Sequence, residues 1–156
     1  MTSWSAPEAH RIAGITYRQL DYWIRSGLVK PSVQANGHGS KRRFSWRDLV
    51  AVRAIAALKE TGVSLQAVRK VQSALIKFEG DDDALRAGRL IIESGTKRPD
   101  VAIASSDEEV LSLLKRPGQV QTRTVFEMAA VVNDVRAAVS SIADSRSKAE
   151  QERRAS

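Results

Sequence analysis

Three side chains in the stretch "GITYRQLDYWIRSGLVKPS", residues 14–32, could act on something outside the protein: Arg18, Tyr22 and Arg25. In a helix that opens at Thr16 and turns about 100° per residue, these three share one side. Leu20, Trp23 and Ile24 fall on the opposite side, in the i, i+3, i+4 spacing of a core stripe. An arginine can clasp guanine with two hydrogen bonds or hold a phosphate, and a tyrosine hydroxyl can donate to a phosphate. Taken alone, such a face is also what an ordinary solvated helix displays. A second basic feature follows closely: Lys41, Arg42 and Arg43 in succession, which cannot all belong to the core face of a strand. Together the two features point to a polyanion, with cations laid on phosphates or in a minor groove.

The surrounding sequence can position these groups. Four segments in the first half open on a hydroxyl residue: Ser5, Thr16, Ser45 and Ser64. Three of them carry a polar partner three places on (Glu8, Gln19 and Asp48), the pattern of a reciprocal helix cap. Gly14, Gly27 and Gly62 stand where helices would end. A short first helix, a tight "AGI" turn and a second helix with an apolar back make a helix-turn-helix. Between the second and third helices, "KPSVQANGHGSKRRF" reads as a hairpin of short extended pieces, 32–35 and 41–44, around Asn36-Gly37 and Gly39. A basic hairpin beside a recognition helix is a wing.

Charge is distributed in the same sense. Residues 1–78 hold 13 Lys+Arg and 4 Asp+Glu, a balance of +9, whereas residues 79–156 hold 12 and 14, a balance of −2. A basic half joined to a near-neutral half favours nucleic acid for the first, and no helix combines a basic face with the large aromatic face of a membrane-surface helix. With 42% hydrophobic but only 5% aromatic residues, the core must be mainly Leu, Ile, Val and Ala. There is no cysteine, hence no disulfide framework or thiolate metal site. No stretch reads as a signal peptide or a membrane span, so a cytoplasmic location is expected. His10 and His38 lack a partner pattern, and Asp81, Asp82 and Asp83 lack ligand spacing. With no nucleophile–base arrangement, phosphate loop or catalytic carboxylate pair, neither enzyme activity, nor a catalytic residue, nor a bound metal or cofactor is expected.

The organisation expected is a mainly α, winged helix-turn-helix domain over 1–78, an acidic linker over 79–87, a small α+β association domain over 88–143, and a flexible tail over 144–156. In the second half, "RLIIES", "DVAIAS" and "QVQTRTVF" read as strands and "SDEEVLSLLKR" as a helix capped at Ser106. Met128, Val131, Val135, Ala138 and Ile142 form one helical stripe, suited either to a second copy of the chain or to this domain's own sheet.

The string "AHRIAGITYRQLDYWIRSGLVKPS…KRRFSWRDLVAVRAIAALKETGVSLQAVRKV" resembles the N-terminal domain of the MerR family of transcription regulators over about residues 4–77. Within that family it is most similar to the actinobacterial branch with a "GITYRQLDYW" segment. The resemblance implies a homodimer that binds an inverted repeat in double-stranded DNA and alters promoter geometry. An architectural, excisionase-like binder of repeated sites is the alternative. By position, Thr16, Tyr17 and Arg18 would meet the major groove, Tyr22 a phosphate, and Arg42 would make the wing contact. Gln19 lies within reach, although its capping role is an equally good reading; Arg25, Lys41 and Arg43 complete the basic set. Asp21 departs from the family, where arginine is common, and a carboxylate there would be repelled by phosphate. It would instead hold Arg18 or Arg25 in an ion pair. The family's metal sensors use cysteines, which this chain lacks, and the sequence identifies no small-molecule effector.

Overall fold

A computed structural model describes residues 2–32, 42–94, 98–115 and 122–155. Its elements follow in the order β1 (Trp4–Ser5), α1 (Ala6–Ala13), α2 (Tyr17–Arg25), β2 (Arg43–Phe44), α3 (Trp46–Glu60), α4 (Leu65–Lys77), α5 (Asp82–Ala87), β3 (Arg89–Ser94), β4 (Val101–Ala104), α6 (Asp107–Leu114), β5 (Thr122–Glu127) and α7 (Met128–Ala155).

The helix starts obey their cap chemistry. Ser5, Thr16 and Ser45 each accept from the N–H three residues on, while Glu8, Gln19 and Asp48 reach back to the cap residue's own N–H. Ser64, Asp81 and Ser106 cap α4, α5 and α6 from one side only. Gly14 ends α1 at φ 74°, a left-handed conformation that favours glycine. A Cβ there would also stand 2.6 Å from Nη1 of Arg53, so this turn between the first two helices is tight in both senses.

Two sheets are present among the described residues. β1 and β2 pair antiparallel, with Trp4 opposite Phe44 and Ser5 opposite Arg43. β3 is the centre of an antiparallel β4-β3-β5 sheet. Leu90 and Ile92 point into the main core, and Ile91, also buried, faces the side where Leu113 of α6 lies. This explains an unbroken apolar run: both faces of the central strand are covered.

The 79–87 stretch is not an open acidic linker, since Asp82–Ala87 is helical with Leu85 fully buried. Past Asp144, where a tail is expected, α7 continues as one helix of 28 residues to Ala155, with residues 143–155 exposed. The stripe on α7 packs within its own chain, with Met128, Val131 and Val135 buried and Ala138 and Ile142 half-buried against the core. That removes it as a surface for a second copy. One hydrophobic cluster runs from Trp4 through Leu49, Ile55 and Leu75 to Leu85, Leu90 and Val135, so the core does not divide at residue 78.

Candidate nucleic-acid interface

α2 is amphipathic in the sense its sequence dictates. Leu20 and Trp23 are buried and Ile24 is half-buried, while Tyr17, Arg18, Tyr22 and Arg25 are exposed. Tyr22, 63% exposed, is unusually open for an aromatic residue. Neither its hydroxyl nor the Arg18 guanidinium has a partner among the described residues. From Arg18 to Arg25 this face extends about 10 Å along the helix axis. Trp23 is held in the core, with the Lys59 ammonium 5.9 Å from its ring centre.

The N-terminal turn of α2 is more constrained. Thr16 Oγ1 accepts from Gln19 N at 3.0 Å, and Gln19 Oε1 accepts from Thr16 N at 3.0 Å. Both side chains are exposed, but their oxygens are committed to the cap, which leaves the amide NH2 as the remaining donor of Gln19. Tyr17 is 52% exposed and meets the His10 ring edge-on at 5.8 Å. His10 Nδ1 lies 3.0 Å from the Ile15 carbonyl. A carbonyl can only accept, so this nitrogen carries the proton and ties α1 to the turn before α2.

Of the wing expected from the sequence, residues 33–41, Lys41 among them, lie outside the described residues, and only the flanking stem residues on either side can be placed. Its two ends meet on one buried group. Asp48 Oδ2 accepts from Ser32 N and from Ser45 N, each at 2.8 Å, and the two serine hydroxyls are 3.2 Å apart. Asp48 is therefore more than the helix cap its spacing announces. Arg42 Nη1 is 3.3 Å from Asp21 Oδ1, and Arg25 Nε is 3.0 Å from Asp21 Oδ2, so the stem is tied to α2. Asp21 does pair with Arg25, but its second partner is Arg42 rather than Arg18. Arg43 turns elsewhere: its Nε donates to Ser3 Oγ at 2.9 Å and its Nη2 to the Ser3 carbonyl at 2.8 Å. That gives one member of the basic triplet a task inside the protein.

The rest of the chain buttresses this surface. Arg47 donates to the carbonyls of Leu75, Phe78 and Gly80 and stacks on Phe78, closing the end of α4 against α3. Arg53 on α3 joins the Ala13 carbonyl, at the end of α1, to Asp134 on α7. Twelve residues along α7, Arg146 pairs with Glu8 in the α1 cap. Burial pushes the Glu8 carboxyl up, but the Ser5 N–H, Arg146 and the Ser5 hydroxyl together hold it below its ordinary value. Neither arginine link has a sequence signature, because each joins residues more than eighty positions apart. No helix among the described residues is long and apolar enough to cross a membrane.

Comparison with known proteins matches residues 5–75 to the MerR HTH family regulatory protein model. Uncharacterized HTH-type transcriptional regulators of Mycobacterium tuberculosis and Mycobacterium bovis are 39% identical over 116 residues, covering 74% of this chain and 49% of theirs. The chain thus spans about half the length of the curated relatives it matches. Among solved structures, a MerR-family transcriptional regulator from Bacillus cereus has 24% identity and a TM-score of 0.39, over 53% of this chain and 57% of its own. A MerR-family regulator lacking the sensor domain, solved bound to promoter DNA, has 20% identity and a TM-score of 0.40, over 97% of this chain and 87% of its own.

Proposed function

We propose that the chain, whose residues 5–75 match the MerR HTH family regulatory protein model, is a MerR-type, sequence-specific DNA-binding transcription regulator, not an enzyme. It binds an inverted repeat as a homodimer and changes promoter geometry by distorting the duplex. The carrying observation is the face of α2 opposite Leu20 and Trp23, where Arg18 and Tyr22 stand exposed and unbonded among the described residues.

In this reading α2 enters the major groove. Thr16, Tyr17 and Arg18 reach base edges from its first turn, and Gln19 offers its amide NH2. Tyr22 and Arg25 meet phosphates, and the wing adds Lys41 and Arg42 on the flanking backbone. The +9 balance of residues 1–78 supplies the sequence-independent grip. A dimer places its half-sites on one face of the duplex, about 34 Å or a multiple apart. Because the α7 stripe packs internally, the contact between copies falls to other surfaces. The exposed end of α7 beyond Arg146 and the edges of β4 and β5 are candidate surfaces for it.

Selection of bound duplexes from a random pool, with the mass of the complex measured, tests the reading. One symmetrical site holding two chains is expected. An array of direct repeats with no symmetry would instead mark an architectural binder. Absence of any saturable duplex complex would end the DNA-binding reading.

A further inference from the structure

We propose that Asp21 is a specificity-determining residue, a built-in phosphate mimic that occupies Arg25 and Arg42 and withholds them from arbitrary DNA. The inference rests on the DNA-binding reading above. One oxygen of the carboxylate takes Arg25 Nε at 3.0 Å and the other takes Arg42 Nη1 at 3.3 Å. Asp21 and Arg42 are each only one-third exposed, so this pair is shielded more than a surface ion pair, whereas Arg25 is 65% exposed. The link spans 21 residues and joins the exposed face of α2 to the stem of the wing.

The placement of acids in this half makes Asp21 exceptional. Residues 1–78 hold four acids. Asp48 is buried, Glu8 pairs with Arg146 on α7, and Glu60 ends α3. Asp21 alone stands among the cations that the proposed interface would set against DNA. A DNA phosphate presents the same charge and the same pair of acceptor oxygens to the same two arginines. Backbone contacts with any duplex therefore compete with Asp21, and the displaced carboxylate stays close enough to repel the phosphate that replaced it.

That cost does not fall equally on all sites. Binding to arbitrary DNA draws essentially all its free energy from phosphate contacts. Binding to the proper site also draws on base contacts from Arg18 and its neighbours, and there Arg25 and Arg42 meet phosphates with the N–H groups that Asp21 leaves free, so both ion pairs stay intact. Asp21 thus penalises arbitrary DNA more than the proper site.

The experiment uses the full chain, as wild type, D21N and D21E. Each is titrated with the duplex recovered by selection and with a scrambled duplex of equal length and composition, over a range of salt. D21N should bind the scrambled duplex ~10-fold more tightly, with a log–log salt slope steeper by up to ~0.9 for each freed cation that reaches a phosphate. On the selected duplex its affinity should change by less than ~3-fold, so the preference narrows. D21E keeps the charge and should keep the wild-type preference. Equal tightening on both duplexes would overturn the proposal and leave Asp21 a simple source of repulsion. Unchanged affinities would overturn it as well. Wild type that binds no duplex would remove the DNA-binding reading and this inference together; a wild type that binds, with an unaltered preference in D21N, removes only the inference.

Discussion

Replacing Asp48 should unmoor the chain at Ser32 from the start of α3. The residue is 2% exposed, and one of its oxygens accepts two backbone hydrogen bonds, from Ser32 and Ser45, each at 2.8 Å. Hydrogen bonds to an ionised group contribute about 1.5–3 kcal/mol each. The Ser45 bond belongs to the α3 cap, where the effect is nearer ~1 kcal/mol. Asp48→Ala should therefore cost about 2.5–4 kcal/mol in all, a large part of the ~5–15 kcal/mol that holds a typical domain folded. At ~2–4 °C per kcal/mol for a chain of this size, the melting temperature should fall by roughly 10 °C. Asp48→Asn offers a sharper comparison. Both bonds go to the same oxygen, Oδ2, so an amide oxygen in that position can still accept both. Its loss should be about half that of alanine, from missing charge and a buried NH2 group. Thermal melting followed by circular dichroism measures both variants. With the stem unmoored but α2 intact, the alanine variant should also lose affinity and salt dependence while keeping its base preference. A melting temperature within 2 °C of wild type for Asp48→Ala, taken as about the resolution of this ~2–4 °C per kcal/mol scale, would refute the reasoning, as would an asparagine variant as damaged as the alanine one.

Arg18→Ala should relax base preference and cost about 1–3 kcal/mol of binding, read from selected against substituted duplexes; uniform weakening on all sequences would place Arg18 on phosphate instead. Arg43→Ala should leave the salt slope of DNA binding unchanged, because its guanidinium is held by Ser3; a slope shallower by ~0.9 would show a phosphate contact. Val135→Glu places a charge in the core beside α5 and should cost about 3–5 kcal/mol at any protein concentration. Normal melting together with a halved mass in solution would contradict that. Glu8 has a depressed pKa when folded, so its share of stability is present above its ordinary value of 4.5 and is lost as pH falls through the folded value. The stability gap between wild type and Glu8→Gln should accordingly close on acidification below about pH 4, and a gap that widened there would have the sign wrong.

Much of the helical framework was readable from local chemistry alone. A cap needs only a hydroxyl or carboxylate and a partner three residues on, so Ser5, Thr16, Ser45 and Ser64 announce their helices in sequence. The two faces of α2 follow from its rotation per residue, which is why the open Arg18–Tyr22–Arg25 side needed no tertiary information. Strands β3 and β4 were legible from apolar runs between turn residues, and β5 from the β-branched and aromatic residues of "QVQTRTVF". What local pattern could not reveal was who shares a partner with whom. A two-residue strand at Trp4–Ser5 is too short to show periodicity, and it exists because Phe44 and Arg43 lie beside it. The α7 stripe suited a second copy and its own core equally well, since helical spacing says which residues line up and not what they meet. Only packing decided for the core, as it made a helix of the acidic stretch around Leu85. The same holds for the charges: that Asp21 would find an arginine was expected from its neighbours along the helix. That the second arginine is Arg42, and that Asp48 grips Ser32, depends on bringing together residues 21 and 16 positions apart, which only the folded chain does.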